Sequence, residues 1–164
     1  MYSPVSKNID KMTQLKISLI QSQQEKEKMY YQRWLVLRKP INMERGTEKD
    51  KYDDDYYSLH FITVCKEQII GSARLRQFSS KLGSISYLAV LPEFQYQGVG
   101  TSLVQKIIEI AKQQQLISLR VRSRINASKF YEKIGFRDTS APFEFLGIPH
   151  KFMLLNLPDL HNNL

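Results

Sequence analysis

The sequence predicts a mixed α/β layer fold, and three observations carry that prediction. Apolar runs of strand length recur along the chain, bounded by short polar or Gly/Pro-containing turns. Two stretches instead space their apolar residues as a helix does, one after a capping signal at Ser22 and one after a glycine-containing loop at Gln95–Thr101. Their order is strand, helix, several strands, helix, strand, short helix and closing strands, which a sheet covered by helices accommodates.

Residues 1–13 read as a polar N-terminal extension, and residues 14–164 as a single domain with room for a core. Leu15, Ile17 and Leu19 alternate with Lys16 and Ser18 as a first strand. Ser22 to Glu25 has capping-box spacing and opens a helix through Met29, Tyr30, Trp34 and Leu37, limited by Pro40. The spacing of Trp34 with Tyr30 and Leu37 places it in the core. Residues 42–55 read as a polar, acidic loop with room for a short helix. Leu59 to Cys65 and Ile69 to Phe78 read as two strands joined through Lys66-Glu67-Gln68. Ser84 to Leu91 is the next strand, ending at Pro92 and the loop.

Beyond the loop, Leu103, Val104, Ile107, Ile108 and Ala111 form one face of the clearest amphipathic helix. Leu116 to Val121 follows as a strand. It should run parallel to the strand before the helix, because a helix-length crossover joins them. Asn126 is placed to cap a short helix through Phe130 and Tyr131, stopped by Gly135. Phe143 to Leu146 and Lys151 to Leu157 close the fold.

Composition excludes several classes. Hydrophobic residues are 42% and charged residues 24%, the balance of a globular chain. No stretch approaches the roughly 18 apolar residues of a membrane span, and Met1 to Asp10 lacks the apolar region of a secretory signal. Cytoplasmic location is the resulting expectation. The single cysteine, Cys65, rules out an intramolecular disulfide and a multi-cysteine zinc site, and its apolar strand suggests a buried, inert thiol. Net charge is +8, without the basic run of a nucleic-acid tail. Its densest part is Arg120, Arg122, Arg124 and Lys129, which reads as solvated charge or as help for a cofactor's phosphates.

Gln95-Tyr96-Gln97-Gly98-Val99-Gly100-Thr101 is the stretch richest in chemistry. Two glycines admit backbone amides close to a ligand, and the helix start adds unpaired N–H groups and the positive end of its dipole. Such a loop suits a phosphate or pyrophosphate. A nucleotide-binding P-loop needs Lys-Ser/Thr after its last glycine, whereas Gly100 is followed by Thr101 and Ser102. A dinucleotide loop needs a third glycine where Leu103 stands, and an acidic residue about 20 positions on, where Leu119 to Val121 stand.

The remaining pattern, Gln-x-x-Gly-x-Gly after an apolar strand, resembles the pyrophosphate-binding motif of the GNAT superfamily of N-acetyltransferases. Tyr87 to Phe94 resembles that family's strand leading into the loop. Asn126-Ala127-Ser128-Lys129-Phe130-Tyr131-Glu132-Lys133-Ile134-Gly135-Phe136 resembles its later signature. The matching blocks span residues 84–136, about a third of the chain.

The resemblance implies a mixed central sheet of about six to seven strands flanked by about four helices. It implies acetyl-CoA or another acyl-CoA as co-substrate, without a metal, and a small-molecule or protein amine as acceptor, in a monomer or homodimer that binds neither nucleic acid nor membrane. Backbone amides of Gln95, Tyr96, Gln97, Gly98, Val99, Gly100 and Thr101 would hold the pyrophosphate. The backbone of Leu88, Ala89 and Val90 would lie along the pantetheine arm, in a strand that the family usually bulges. Asn126 would bond the pantetheine or cap its helix. Tyr131 occupies the place of the family's proton donor to the coenzyme sulfur, or packs under its helix. No base stands out. His150 and His60 are candidates, each also readable as a structural histidine. Glu44, Glu48 and Asp50 either line an acceptor mouth or form a solvated acidic loop. Direct attack in a ternary complex is expected, since Cys65 lies far from the motifs. An acyl-CoA sensor without turnover, and a transferase for longer acyl groups, are the alternatives.

Overall fold

The computed structural model describes residues 15–158, so the 1–13 extension lies outside the described residues. Among the described residues, eight strands form the sheet: β1 (Ile17–Leu19), β2 (Ser58–Cys65), β3 (Gln68–Gln77), β4 (Leu82–Val90), β5 (Ser118–Arg124), β6 (Arg137–Asp138), β7 (Phe143–Phe145) and β8 (Ile148–Asn156). Hydrogen-bonded neighbours follow the order β1-β2-β3-β4-β5-β8-β6, and β7 also pairs with β8. Three described α-helices accompany them, α1 (Gln23–Leu37), α2 (Val99–Gln113) and α3 (Ser128–Ile134), with short 3₁₀ turns at Lys39–Ile41, Pro92–Phe94 and Ile125–Ala127. Residues 42–57 form turns and irregular structure rather than a short helix. No described helix is long and apolar enough to cross a membrane.

Contacts group the described residues into two compact units. The first holds the residues through Leu75 together with Tyr87–Lys106, and the second holds Arg76–Ser86 and the residues from Ile107 on.

In the first unit, Ser22 caps α1 as its sequence predicts: its Oγ accepts from the Glu25 N–H at 3.1 Å. β1 pairs antiparallel with β2, Ser18 opposite Ile62. Lys66 and Glu67, both with positive φ (48° and 66°), make the two-residue turn between β2 and β3, the hand that suits strand twist. Cys65 ends β2 at that turn and is only half-buried, a correction to the buried-thiol reading. Gly71 on β3 sits where a Cβ would come within 2.7 Å of the Val99 side chain, so only glycine lets β3 approach the start of α2 this closely.

Helix α1 corrects another expectation. Trp34 is half-buried, and its indole N–H bonds the Met43 carbonyl at 2.9 Å. The buried face is Met29, Tyr30, Gln32 and Arg33. Two polar residues therefore stand where an apolar core face was expected.

In the second unit, β4 and β5 run parallel, Leu82 opposite Ser118 and Ile85 opposite Val121, as the crossover argument requires. β5 and β8 pair antiparallel along Ser118↔Asn156 through Arg124↔His150. The strand expected to end at Val121 continues to Arg124, so Arg122 and Arg124 join Arg120 within it. Leu119, Val121, Phe136 and Met153 are core residues here, each at most 3% exposed. Gly135 ends α3 with φ 120°, its N–H bonding the Tyr131 and Glu132 carbonyls. Asn126 does not cap that helix. The N-cap is Ala127, without a side-chain bond, because an intervening 3₁₀ turn shifts the start of α3 and Ser128 Oγ bonds the Ile125 carbonyl instead.

Candidate functional site

The loop expected to hold a pyrophosphate lies wholly in the first unit. Gln95 is extended, Tyr96 and Gly98 take positive φ (61° and 85°), and α2 begins at Val99. The first helical bond here runs from the Ser102 N–H to the Gly98 carbonyl at 3.0 Å. The amides of Val99, Gly100 and Thr101 precede it, in the turn whose N–H groups a helix leaves without helical partners. A Cβ on Gly98 would meet no protein atom within 4 Å, so this side of the loop is open. Its donor set of backbone amides at a helix start fits a diphosphate. Side chains brace the loop: Gln95 Nε2 bonds the Val90 carbonyl at 3.1 Å and Gln97 Nε2 the Glu93 carbonyl at 3.2 Å. The Tyr96 side chain is fully exposed.

The strand entering the loop carries a local irregularity. Tyr87 has φ 55° in the middle of β4, a conformation that a bulky residue adopts only when its surroundings hold it there. Beyond it, Ala89 is buried while Leu88 and Val90 are half-buried. Buried Gln32 reaches over from α1 and donates to the Ala89 carbonyl at 3.0 Å while accepting from Ser72 Oγ at 2.6 Å. The Ala89 and Val90 carbonyls thus already have side-chain donors.

The Tyr87 ring is surrounded by charge. Arg33 lies over it at 4.0 Å and Arg74 at 5.1 Å. Both guanidiniums bond Asp53 Oδ1, at 2.9 and 3.0 Å, and all three side chains are at most 4% exposed. Arg74 also grips both oxygens of Asp50, and the Tyr87 hydroxyl donates to Asp50 Oδ2 at 3.1 Å. Burial raises the Asp50 carboxyl, but the bonds and charge of Arg74, with the Tyr52 N–H and Tyr87 hydroxyl, outweigh it and hold Asp50 below its ordinary value. Burial, with the charges of Asp50 and Asp53, pushes Tyr87 up to about 12, so its hydroxyl stays protonated.

This network overturns the reading of residues 44–55 as a solvated acidic loop. Glu48 and Asp53 are 0% and 4% exposed, because buried arginines draw them in. Arg33 also bonds the Glu48 carbonyl, and Arg38 Nε the Thr47 carbonyl, both at 3.0 Å. Glu44 and Asp50 remain nearer to solvent. Sequence reasoning missed Gln32, Arg33, Asp53, Arg74 and Tyr87. One signal was available: Arg33 follows Met29 and Tyr30 at i+4 and i+3, on the apolar face of α1.

His60 belongs to the same network. Its Nε2–H donates to the Asp53 carbonyl at 2.8 Å, and Nδ1 faces the Arg33 guanidinium at 3.4 Å. With both nitrogens engaged it is a structural histidine. Burial lowers its proton affinity, and the Arg33 charge acts the same way against the Asp53 bond. The unfolded chain therefore binds the extra proton. Stability is full above the unfolded value of about 6.5 and falls as pH drops from there towards the folded value. Unfolding midpoints measured from pH 8 to pH 5 should decline below about pH 6.5, and less steeply in His60→Gln. Identical profiles in the two proteins would remove His60 from the pH dependence.

The second unit carries the other sequence-predicted residues. Tyr131 is 5% exposed on α3, edge-on to Phe130 at 5.0 Å and Phe136 at 5.4 Å. Burial raises its proton affinity strongly, so it remains a phenol at any working pH. His150 is 6% exposed on β8, its Nδ1–H donating to the Ile148 carbonyl at 2.7 Å and its ring set against Phe143 and Phe145. That bond fixes the tautomer and makes Nε2 the basic nitrogen. Asn126 is exposed. Among the described residues, no group of three or more His, Cys, Asp or Glu side chains is placed to hold a metal.

Comparison with known proteins agrees with this architecture. A sequence profile described as the acetyltransferase (GNAT) domain matches residues 41–157. A Bacillus subtilis (strain 168) protein named as a candidate acetyltransferase is 28% identical over 107 residues, 65% of this chain and 72% of the relative. Among solved structures, a candidate N-acetyltransferase from Lactobacillus plantarum aligns with a TM-score of 0.79 at 21% identity, over 89% of this chain and 100% of that one. An aminoglycoside 6'-N-acetyltransferase complexed with coenzyme A aligns with a TM-score of 0.73 at 12% identity, over 87% of this chain and 97% of that one. At these identities the structural likeness concerns the fold.

Proposed function

Because this chain belongs to the GNAT acetyltransferase family, we propose that it transfers an acetyl group from acetyl-CoA to a primary amine, by direct attack in a ternary complex. The observation that carries the reading is the loop at 95–101. Its positive-φ residues turn the chain into α2 with amides leading, and the space beside Gly98 is open. In this reading those amides hold the diphosphate, and the β4 backbone from Leu88 to Val90 takes the amide-bearing pantetheine arm.

The family's chemistry joins an amine nitrogen to a thioester carbonyl carbon and breaks the carbon–sulfur bond. The nitrogen must shed a proton and the departing sulfur must be stabilised or protonated. Tyr131 supplies a proton to the sulfur; burial suits it to that role, since it enters each turnover protonated. His150 Nε2 takes the proton from nitrogen, with Nδ1–H anchored to Ile148. Asn126 bonds the pantetheine from its exposed place ahead of α3. Asp50, held as a carboxylate by Arg74, is too weak a base to compete for that proton.

Release of free CoA thiol, followed across a panel of primary amines, tests the reading. Turnover on any of them supports it, whereas tight acetyl-CoA binding without turnover on any amine or protein makes the chain a sensor. Tyr131→Phe keeps the ring between Phe130 and Phe136. It should lower kcat roughly 100-fold, the lower end of general acid effects, with acetyl-CoA affinity within about twofold. An unchanged rate across pH would remove Tyr131 from the mechanism.

A further inference from the structure

Among the described non-glycine residues with positive φ, Tyr87 alone lies inside a strand. The others sit in turns and loops, where such a conformation is ordinary. Leu88, Ala89 and Val90 follow Tyr87 directly in β4. A ring-bearing residue does not hold a left-handed backbone unaided, so whatever holds Tyr87 also sets the path of the strand after it.

Four side chains hold it. The hydroxyl donates to Asp50 Oδ2 at 3.1 Å. The ring lies against the guanidiniums of Arg33 at 4.0 Å, Arg74 at 5.1 Å and Arg38 at 5.7 Å. Asp50 is itself fixed. Arg74 bonds both of its oxygens, the Tyr52 N–H bonds Oδ1 at 2.8 Å, and its own N–H bonds Asp53 Oδ2 at 2.8 Å. The hydroxyl bond therefore ties β4 to residues 42–57, a segment of turns without regular structure. Further along β4, Gln32 of α1 takes the Ala89 carbonyl and Gln95 of the loop takes the Val90 carbonyl. Side chains thus anchor the strand at three points between the buried ionic network and the 95–101 loop.

We propose that Tyr87 is a positioning residue: latched to residues 42–57 through Asp50, it sets β4 for the pantetheine arm and couples the order of that segment to co-substrate binding. The positioning rests on the acyltransferase reading, which lays the arm along Leu88 to Val90; the latch does not. Coupling of this kind is reciprocal, so bound acetyl-CoA should in turn protect residues 42–57 from hydrogen exchange.

Tyr87→Phe keeps the ring among its cations and removes only the hydroxyl bond. Calorimetry with two probes separates positioning from general loosening, because the phospho-ADP half of coenzyme A carries the diphosphate and lacks the arm. Acetyl-CoA should bind about tenfold more weakly to the variant, as the loss of one hydrogen bond to a charged group allows, and phospho-ADP within about twofold of the parent protein. Equal weakening of both probes, or of neither, would overturn the proposal. Asp50→Ala should weaken acetyl-CoA as well, and the double variant should lose no more than Asp50→Ala alone; additive losses would mean that the two residues act separately and would overturn the latch. Hydrogen exchange reads the latch without any ligand. Residues 42–57 and 88–91 should exchange faster in Tyr87→Phe, and unchanged exchange there would overturn it. Faster exchange in the variant, with neither probe binding the unmodified protein, would uphold the latch and count against the acyltransferase reading.

Discussion

Gly98→Glu is expected to weaken acetyl-CoA binding by about 100-fold or more, close to 2.7 kcal/mol, while leaving the protein folded. Two costs combine. A residue with a Cβ pays roughly 1 kcal/mol to hold the left-handed backbone that Gly98 adopts at φ 85°, and a carboxylate then enters the open space assigned to a diphosphate. Gly98→Asn separates the two, because asparagine tolerates the left-handed region and adds no charge. Its loss should be far smaller. The expected ranking by calorimetry is glycine, asparagine, glutamate. Undiminished affinity in the glutamate variant would refute the loop assignment, since no protein atom near Gly98 offers another reason for tolerance.

Asp53→Ala should produce the largest loss of stability, about 3–5 kcal/mol, the usual result of stripping one partner from a buried ionic network. Its carboxylate serves Arg33 and Arg74 on one oxygen and the Asp50 N–H on the other. Removal leaves two guanidiniums beside the Tyr87 ring without their shared counter-charge. The unfolding midpoint should fall by roughly 6–20 °C for a chain of this size. Asp53→Asn, which keeps an acceptor but not the charge, should fall between. The same change should loosen residues 44–55, which hydrogen exchange would register as lost protection there before the sheet opens. A denaturant midpoint in Asp53→Ala within experimental error of the parent protein would mean that the arginines find new partners.

The legible parts of the fold were those written in apolar spacing or in glycine chemistry. The face of α2 reads directly from Leu103, Val104, Ile107 and Ala111, all fully buried. The Ser22 cap and the Gly135 stop read from residue type, because few other residues perform those jobs. The 95–101 loop read clearly for the same reason. The buried network did not read from the sequence, since an arginine in isolation signals solvent. Arg33 is buried because Asp53, twenty positions later, meets it with a carboxylate that it shares with Arg74 on β3. Asn126 failed as a cap because a three-residue turn displaced the helix start by one position, a shift below what local propensity resolves. Cys65 failed as a core thiol because it is the last residue of its strand, beside the turn, where membership of an apolar run no longer implies burial.

The most direct test is a calorimetric titration of acetyl-CoA into the folded, unmodified chain. Saturable uptake at one site, abolished by Gly98→Glu with the fold intact, is the predicted outcome. Absence of any heat or saturation with acetyl-CoA and with free CoA would contradict it, because the 95–101 amides would then hold no donor for transfer.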